Sequence, residues 1–222
     1  MHLRRTALAL FAAISVVLSV PNAARAANNA PEIEAFNAMF AKVTSYTYKL
    51  KAHEVEGTAT QNRVYDYSFL KPHFAKTLIE SGDGQGSGGV WTGGDQVSGH
   101  QGGILSGIHL KVDLHDGRAV SLRGYTIPDG LIQNIIAVYA NTPGTLHQQA
   151  GGAIGGVQTV LLDLRPSNPA ADGGITDRRI WINAATHWPV REVAYAGDQV
   201  VLDQQFTDIN PNAGLTQNDF PF

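Results

Sequence analysis

The sequence predicts one α+β domain, a long antiparallel meander carrying two apolar-striped helices. Three observations carry that expectation. Residues 175–212 read as three consecutive strands, at 179–183, 189–195 and 200–206, split by short turns at 184–186 and 196–198. Tyr46, Tyr48 and Leu50 alternate with Thr47, Lys49 and Lys51, and Tyr65, Tyr67 and Phe69 alternate with Asp66 and Ser68, so each run has one apolar face. Two segments, 31–43 and 128–141, instead repeat their apolar residues at helical steps of three and four.

The first helix is predicted over 31–43, where Ile33, Phe36, Phe40 and Val43 form the stripe. Pro31 suits a first turn, and Glu32 and Glu34 complement the positive end of the helix dipole. Strands follow at 45–56 and 61–70, the second ended by Pro72, which cannot donate to a ladder. A third strand is expected at 73–80, then a glycine-rich tip at 81–89 and a short hairpin pairing 90–92 with 96–98. The pattern weakens over 99–116, with one short strand at 108–112. A further strand is expected at 117–123. The second helix runs from Pro128 or Asp129 to Asn141, with Leu131, Ile132, Ile135, Ile136 and Tyr139 on its apolar face, and Pro143-Gly144 stops it. A turn at 151–156, a strand at 157–164, the three closing strands and a frayed tail to Phe222 complete the chain.

The first residues stand apart. Arg4 and Arg5 precede an almost unbroken apolar run from Ala7 to Val20, followed by Ala24-Arg25-Ala26. This is the pattern of a signal peptide at 1–26, cleaved after Ala26 to leave a single domain over 27–222. The run is short for a membrane-spanning helix. With no Cys in the sequence there is neither a disulfide nor a lipid-anchored cysteine, which suits a periplasmic location. A formal charge of −3 argues against a nucleic-acid partner, since binding phosphate backbones takes a basic surface.

No string points to catalysis, a cofactor or a metal. Gly84-x-Gly86-x-x-Gly89 matches a dinucleotide fingerprint as a string, but strand-forming Val90-Trp91-Thr92 follows where a helix is needed. His109 and His115 lie six apart, outside the usual zinc spacings. Ser106 has the wrong glycine spacing for a nucleophile elbow. Asp113 and Asp116 read as turn residues.

Four short motifs, in order, resemble the LolA/LolB-like superfamily of periplasmic lipoprotein carriers, which includes RseB-type sensors. They are Val43-x-Ser45-Tyr46, Phe69-Leu70-Lys71-Pro72-x-Phe74, Ile180-Trp181-Ile182-Asn183-x-x-Thr186-x-x-Pro189-Val190, and Phe206-x-Asp208-Ile209-x-x-Asn212. Lys71 stands where carriers usually have Arg. The resemblance implies a strongly curved antiparallel sheet forming an incomplete β-barrel, with helices covering its open side. It implies a lipid- or lipoprotein-binding protein that holds acyl chains in an apolar cavity; no enzymatic activity, cofactor or metal is expected, and a monomer is. Tyr46, Tyr48, Leu50, Tyr67, Phe69, Phe74, Trp91, Leu131, Ile135, Ile136 and Tyr139 are the expected lining, and Lys71 the expected polar entrance. An inner- or outer-membrane protein is a further expected partner. Two rivals stay open: a sensor or protein-interaction module of the same fold, and a hydrolase assembled from distant residues such as His100, His109, Asp113 and His115.

Overall fold

A computed structural model of the chain describes residues 30–103 and 107–221; the predicted signal peptide, Ser106 and Phe222 lie outside the described residues. Helix α1 (Pro31–Phe40) is followed by six strands, β1 (Ser45–Glu56), β2 (Ala59–Leu70), β3 (Phe74–Gly82), β4 (Gly88–Trp91), β5 (Gln96–His100) and β6 (His109–Asp113). Helix α2 (Ile132–Asn141) separates these from β7 (Gly144–Ile154), β8 (Val157–Pro166), β9 (Asp177–Asn183), β10 (Pro189–Ala196) and β11 (Gln199–Pro211). All eleven strands form one sheet in the order β6-β5-β4-β3-β2-β1-β11-β10-β9-β8-β7. Every neighbouring pair is antiparallel, and only β1 and β11 are not consecutive in the chain. Two meanders therefore meet along that seam, where Leu50 faces Phe206. The sheet is open and curved, and β6 and β7 are its free edges.

Inward-facing side chains alternate along each strand, as the pleat requires. On β1 these are Tyr46, Tyr48, Leu50 and Ala52, and on β2 they are Phe69, Tyr67 and Tyr65; all are buried with the helices in one core. Both helices pack on this face. Each starts without a side-chain cap of its own. The sheet supplies what is missing, because the first backbone N–H groups of a helix have no partner within it. Gln148 Oε1 on β7 accepts from the Glu32 N–H at 3.0 Å, and the Tyr46 hydroxyl accepts from the Ile132 N–H at 3.1 Å while donating to Gln133 Oε1 at 2.8 Å.

Three expectations are corrected. Residues 117–123 are a looped segment, not a strand, because their polar groups turn to side chains on β1 and β2. The turn expected at 151–156 is two residues at the end of a long strand: β7 pairs with β8 from Gly144 to Ile154, with a bulge between Ala150 and Gly152. The tail is not frayed up to Phe220, which is buried against Phe74 at a ring separation of 5.9 Å. Lys76 Nζ also donates to the Asp219 carbonyl at 2.7 Å.

Candidate functional site

The sheet's inner face has two unlike halves. Under α1 and α2 the space is filled by aromatic rings. Tyr46 lies 5.0 Å from Phe69 and 5.6 Å from Trp188, and Tyr48 stacks on Tyr67 at 5.0 Å and on Phe206 at 5.9 Å. Phe36 meets Phe40 at 5.5 Å and Trp188 at 6.3 Å. Such offset and edge-on pairs add to what area burial alone contributes. The Tyr48 hydroxyl donates to the Gly130 carbonyl ahead of α2, and a Cβ at Gly130 would collide with the Tyr67 ring and hydroxyl. Burial drives the phenol groups of Tyr46, Tyr48 and Tyr67 far above their ordinary range, so all three are neutral and serve as hydrogen-bonding aromatics.

At its far end α2 is tied down by a buried polar chain. The Tyr139 hydroxyl donates to Glu192 Oε1 at 3.0 Å, Arg178 Nη1 lies 3.5 Å from the same oxygen, and Arg178 holds Asp172 through two bonds of 2.8 Å. Burial raises the Glu192 carboxyl above its ordinary value, against the opposing pull of Arg178 and the Tyr139 hydroxyl.

Beyond Tyr67 the same face is hollow. A cavity of about 780 Å³, partly open to solvent, lies between β2–β6 and the segment 117–127. Tyr65, Tyr67, Ile79, Val97, Ile108, Leu110 and Ile127 give it apolar walls, and Arg63, Thr77, His100 and Arg118 add polar groups. Small residues leave this room: Gly84, Gly88, Gly89, Gly99 and Gly102 all border it. The close approach of strands leaves no choice at Gly99, where a Cβ would come within 2.6 Å of the Gly88 carbonyl oxygen.

Residues 117–127 form the opposing wall, and buried Glu54 anchors them. Its Oε2 accepts from the Ser121 hydroxyl at 2.7 Å and from the Arg123 N–H at 2.9 Å. Gln61 Oε1 accepts from the Leu122 N–H at 3.1 Å, and Arg123 Nη1 donates to the Val55 carbonyl at 2.9 Å. Removing one partner from such a buried set strands the others, at about 1–3 kcal/mol for each group left unpaired.

The residues named from sequence divide between the two halves. Tyr46, Tyr48, Leu50, Phe69, Leu131, Ile135, Ile136 and Tyr139 are brought together in the packed half; of the expected lining Tyr67 also borders the cavity, and His100 of the hydrolase rival does too. Trp91 borders the core, its indole N–H donating to the Gly94 carbonyl at 2.8 Å. Phe74 lies on the opposite face, against Phe220. Lys71 closes α1: its Nζ donates to the Phe40 carbonyl at 2.7 Å and sits 4.4 Å from the centre of the Phe40 ring. His100 and His109 pair across β5 and β6 with rings 5.4 Å apart, while Asp113 accepts from the His115 N–H in a turn. Among the described residues no three His, Cys, Asp or Glu side chains gather as metal ligands. Arg63, Thr77, Ile79, Val97 and Ile127 were not singled out by the sequence reading. The available signal was the density of glycine between 82 and 103, where strands too thin to fill a core face a row of aromatics.

No protein-family model and no curated protein matches the chain. Solved structures do. An uncharacterized conserved protein of Thermus thermophilus aligns with a TM-score of 0.54 and 12% identity, over 84% of this chain and 91% of that one. MucB aligns at 0.51 and 12% identity, over 87% of this chain and 64% of its own length. A LolA superfamily protein of Nitrosomonas europaea aligns more loosely, at 0.39 and 10% identity, over 86% and 97%. The chain therefore shares the fold of the Thermus protein and of MucB, an open, curved antiparallel sheet with helices on its inner face, which is the α+β class the sequence led one to expect.

Proposed function

We propose that this protein is an exported, non-catalytic binding protein that holds the acyl chains of a lipid or lipoprotein in the hollow half of its sheet. One observation carries the reading: a cavity of about 780 Å³ with apolar walls, roofed by an anchored loop segment and partly open to solvent. That volume falls in the range of small-molecule sites, roughly 300–1,000 Å³. Each buried methylene gains about 0.8 kcal/mol, so about ten of them gain roughly 8 kcal/mol before the costs of ordering. Micromolar affinity needs a net of about 8 kcal/mol after those costs, so clearly more than ten methylenes must be buried to reach it. The packed half supports the reading as a rigid backing, since its rings hold β1 and β2 in place beneath the roof.

The test is native mass spectrometry of gently purified protein, beside the variant Ala119→Trp. Ala119 borders the cavity from the roof and is half-buried, so an indole there projects into free space. Wild type should carry lipid-sized bound mass, and the variant should lose it while keeping its circular dichroism. Bound mass unchanged by the variant, or none in wild type, refutes the proposal.

A second reading, a protein-docking module, draws on β6. It is a free edge of the sheet, and Leu110 on it is 47% exposed, next to Ile108 at 53%. Recovery of one periplasmic or membrane protein on immobilised chain, with no lipid in the eluate, would favour this reading.

A further inference from the structure

We infer that the cavity selects amphiphiles with an anionic head group, read by Arg63 and the Tyr65 hydroxyl at its mouth. The inference rests on the lipid-binding reading and gives its ligand a chemical class. The inner row of β2 runs Phe69, Tyr67, Tyr65 and then, at the next inward position, Arg63. The apolar row thus ends in a guanidinium. Register places Arg63 opposite Gly82, where the exposed turn through Gly84 and Gln85 begins, so the cation stands at the solvent end of the hollow.

Its contacts fix the side chain without neutralising it. Arg63 Nε donates to the Asp83 carbonyl at 2.7 Å, Nη1 donates to the Tyr65 hydroxyl at 3.2 Å, and the guanidinium carbon lies 6.0 Å from the centre of the Tyr65 ring. Among the described residues no carboxylate lies within 4.0 Å of its nitrogens. The nearby acids are engaged elsewhere: Asp83 Oδ2 accepts from the Asn62 N–H at 2.7 Å, and Glu54 anchors the roof. Arg118, the other arginine on the cavity, makes the contrast. Asp116 takes it in a fork of 2.8 and 2.7 Å and cancels its charge.

Tyr65 adds a second donor. Its oxygen accepts from Arg63, which leaves its own proton for a ligand, and burial raises the phenol so that the proton stays on. A guanidinium N–H and a phenolic O–H, side by side at the rim of an apolar space, fit two oxygens of one phosphate or carboxylate. Charge-assisted bonds of this kind are about twice as strong as neutral ones. Arginine's planar fork also suits a two-oxygen anion better than lysine does.

The experiment measures lipid transfer from vesicles of phosphatidylcholine alone and of phosphatidylcholine with phosphatidylglycerol. A second arm compares dodecanoate with dodecanol, which separates a phosphate head from a carboxylate. Wild type should favour the anionic member of each pair, roughly tenfold at low salt, with the preference falling as ionic strength rises. Arg63→Gln should bring the anionic-to-neutral ratio close to one, Arg63→Lys should restore part of it, and Tyr65→Phe should lower it. The ratio is the readout because a loss of folding lowers both uptakes together. Uptake with no head-group preference, or a ratio unmoved in Arg63→Gln and Tyr65→Phe, overturns this inference and leaves lipid binding standing. No uptake of any of the four overturns both.

Discussion

The two halves of the inner face are built on the same strands and end differently. Along β2, Phe69 and Tyr67 meet Tyr46 and Tyr48 under α2, whereas Tyr65 and Arg63 look across a gap to a loop. Alternation is identical in both. What differs is the cover: an apolar helix whose Ile132, Ile136 and Tyr139 are fully buried, or a looped segment held by Glu54. One half is a solid that carries stability. The other is a space kept open by glycines below and hydrogen bonds above.

The largest expected effect belongs to the solid half. Phe69→Ala removes a ring packed against Phe40 and Tyr46 and should cost about 3–5 kcal/mol in chemical unfolding. A loss under about 1 kcal/mol would mean that this half is also loosely filled. A smaller effect concerns pH. The Glu192 carboxyl is raised by burial, so it favours the folded state while protonated. Its contribution is full below its ordinary value of 4.5 and is lost as pH rises through the raised folded value. Glu192→Gln should therefore flatten the decline of unfolding free energy from acid toward neutral pH, and an unchanged slope would remove Glu192 from the account. The smallest stability effect belongs to the hollow half. Leu110→Ser alters a side chain that is nearly half exposed and should move stability by no more than about 0.5 kcal/mol. It should nonetheless slow uptake of a fluorescent fatty acid, and a stability loss as large as that of Phe69→Ala would erase the distinction between the halves.

The long strands were legible because their side chains obey period two. β1 is found where Tyr46, Tyr48 and Leu50 alternate, and the last closing hairpin follows from its Gly197-Asp198 turn. β7 was not, since Gly, Gln and His take up much of it and its burial pattern does not alternate. The segment 117–123 carries strand-like residues, but its donors are captured by Glu54 and Gln61, two side chains distant in sequence. The location of the hollow was hidden for a related reason. A row of alternating aromatics reads the same whether rings or empty space lie opposite, so Tyr48 and Tyr65 look equivalent in the sequence. Only the cover tells them apart, and it comes from residues far along the chain.

Photo-crosslinking tests the division between the halves most directly. A diazirine-bearing fatty acid, loaded into the full chain and mapped by peptide mass spectrometry, should label peptides from β3 to β6 and from the 117–127 roof, and leave α2 unlabelled. Labels concentrated on Leu131, Ile135 or Tyr139 would put the ligand beneath the helix, in the solid half, and contradict the account.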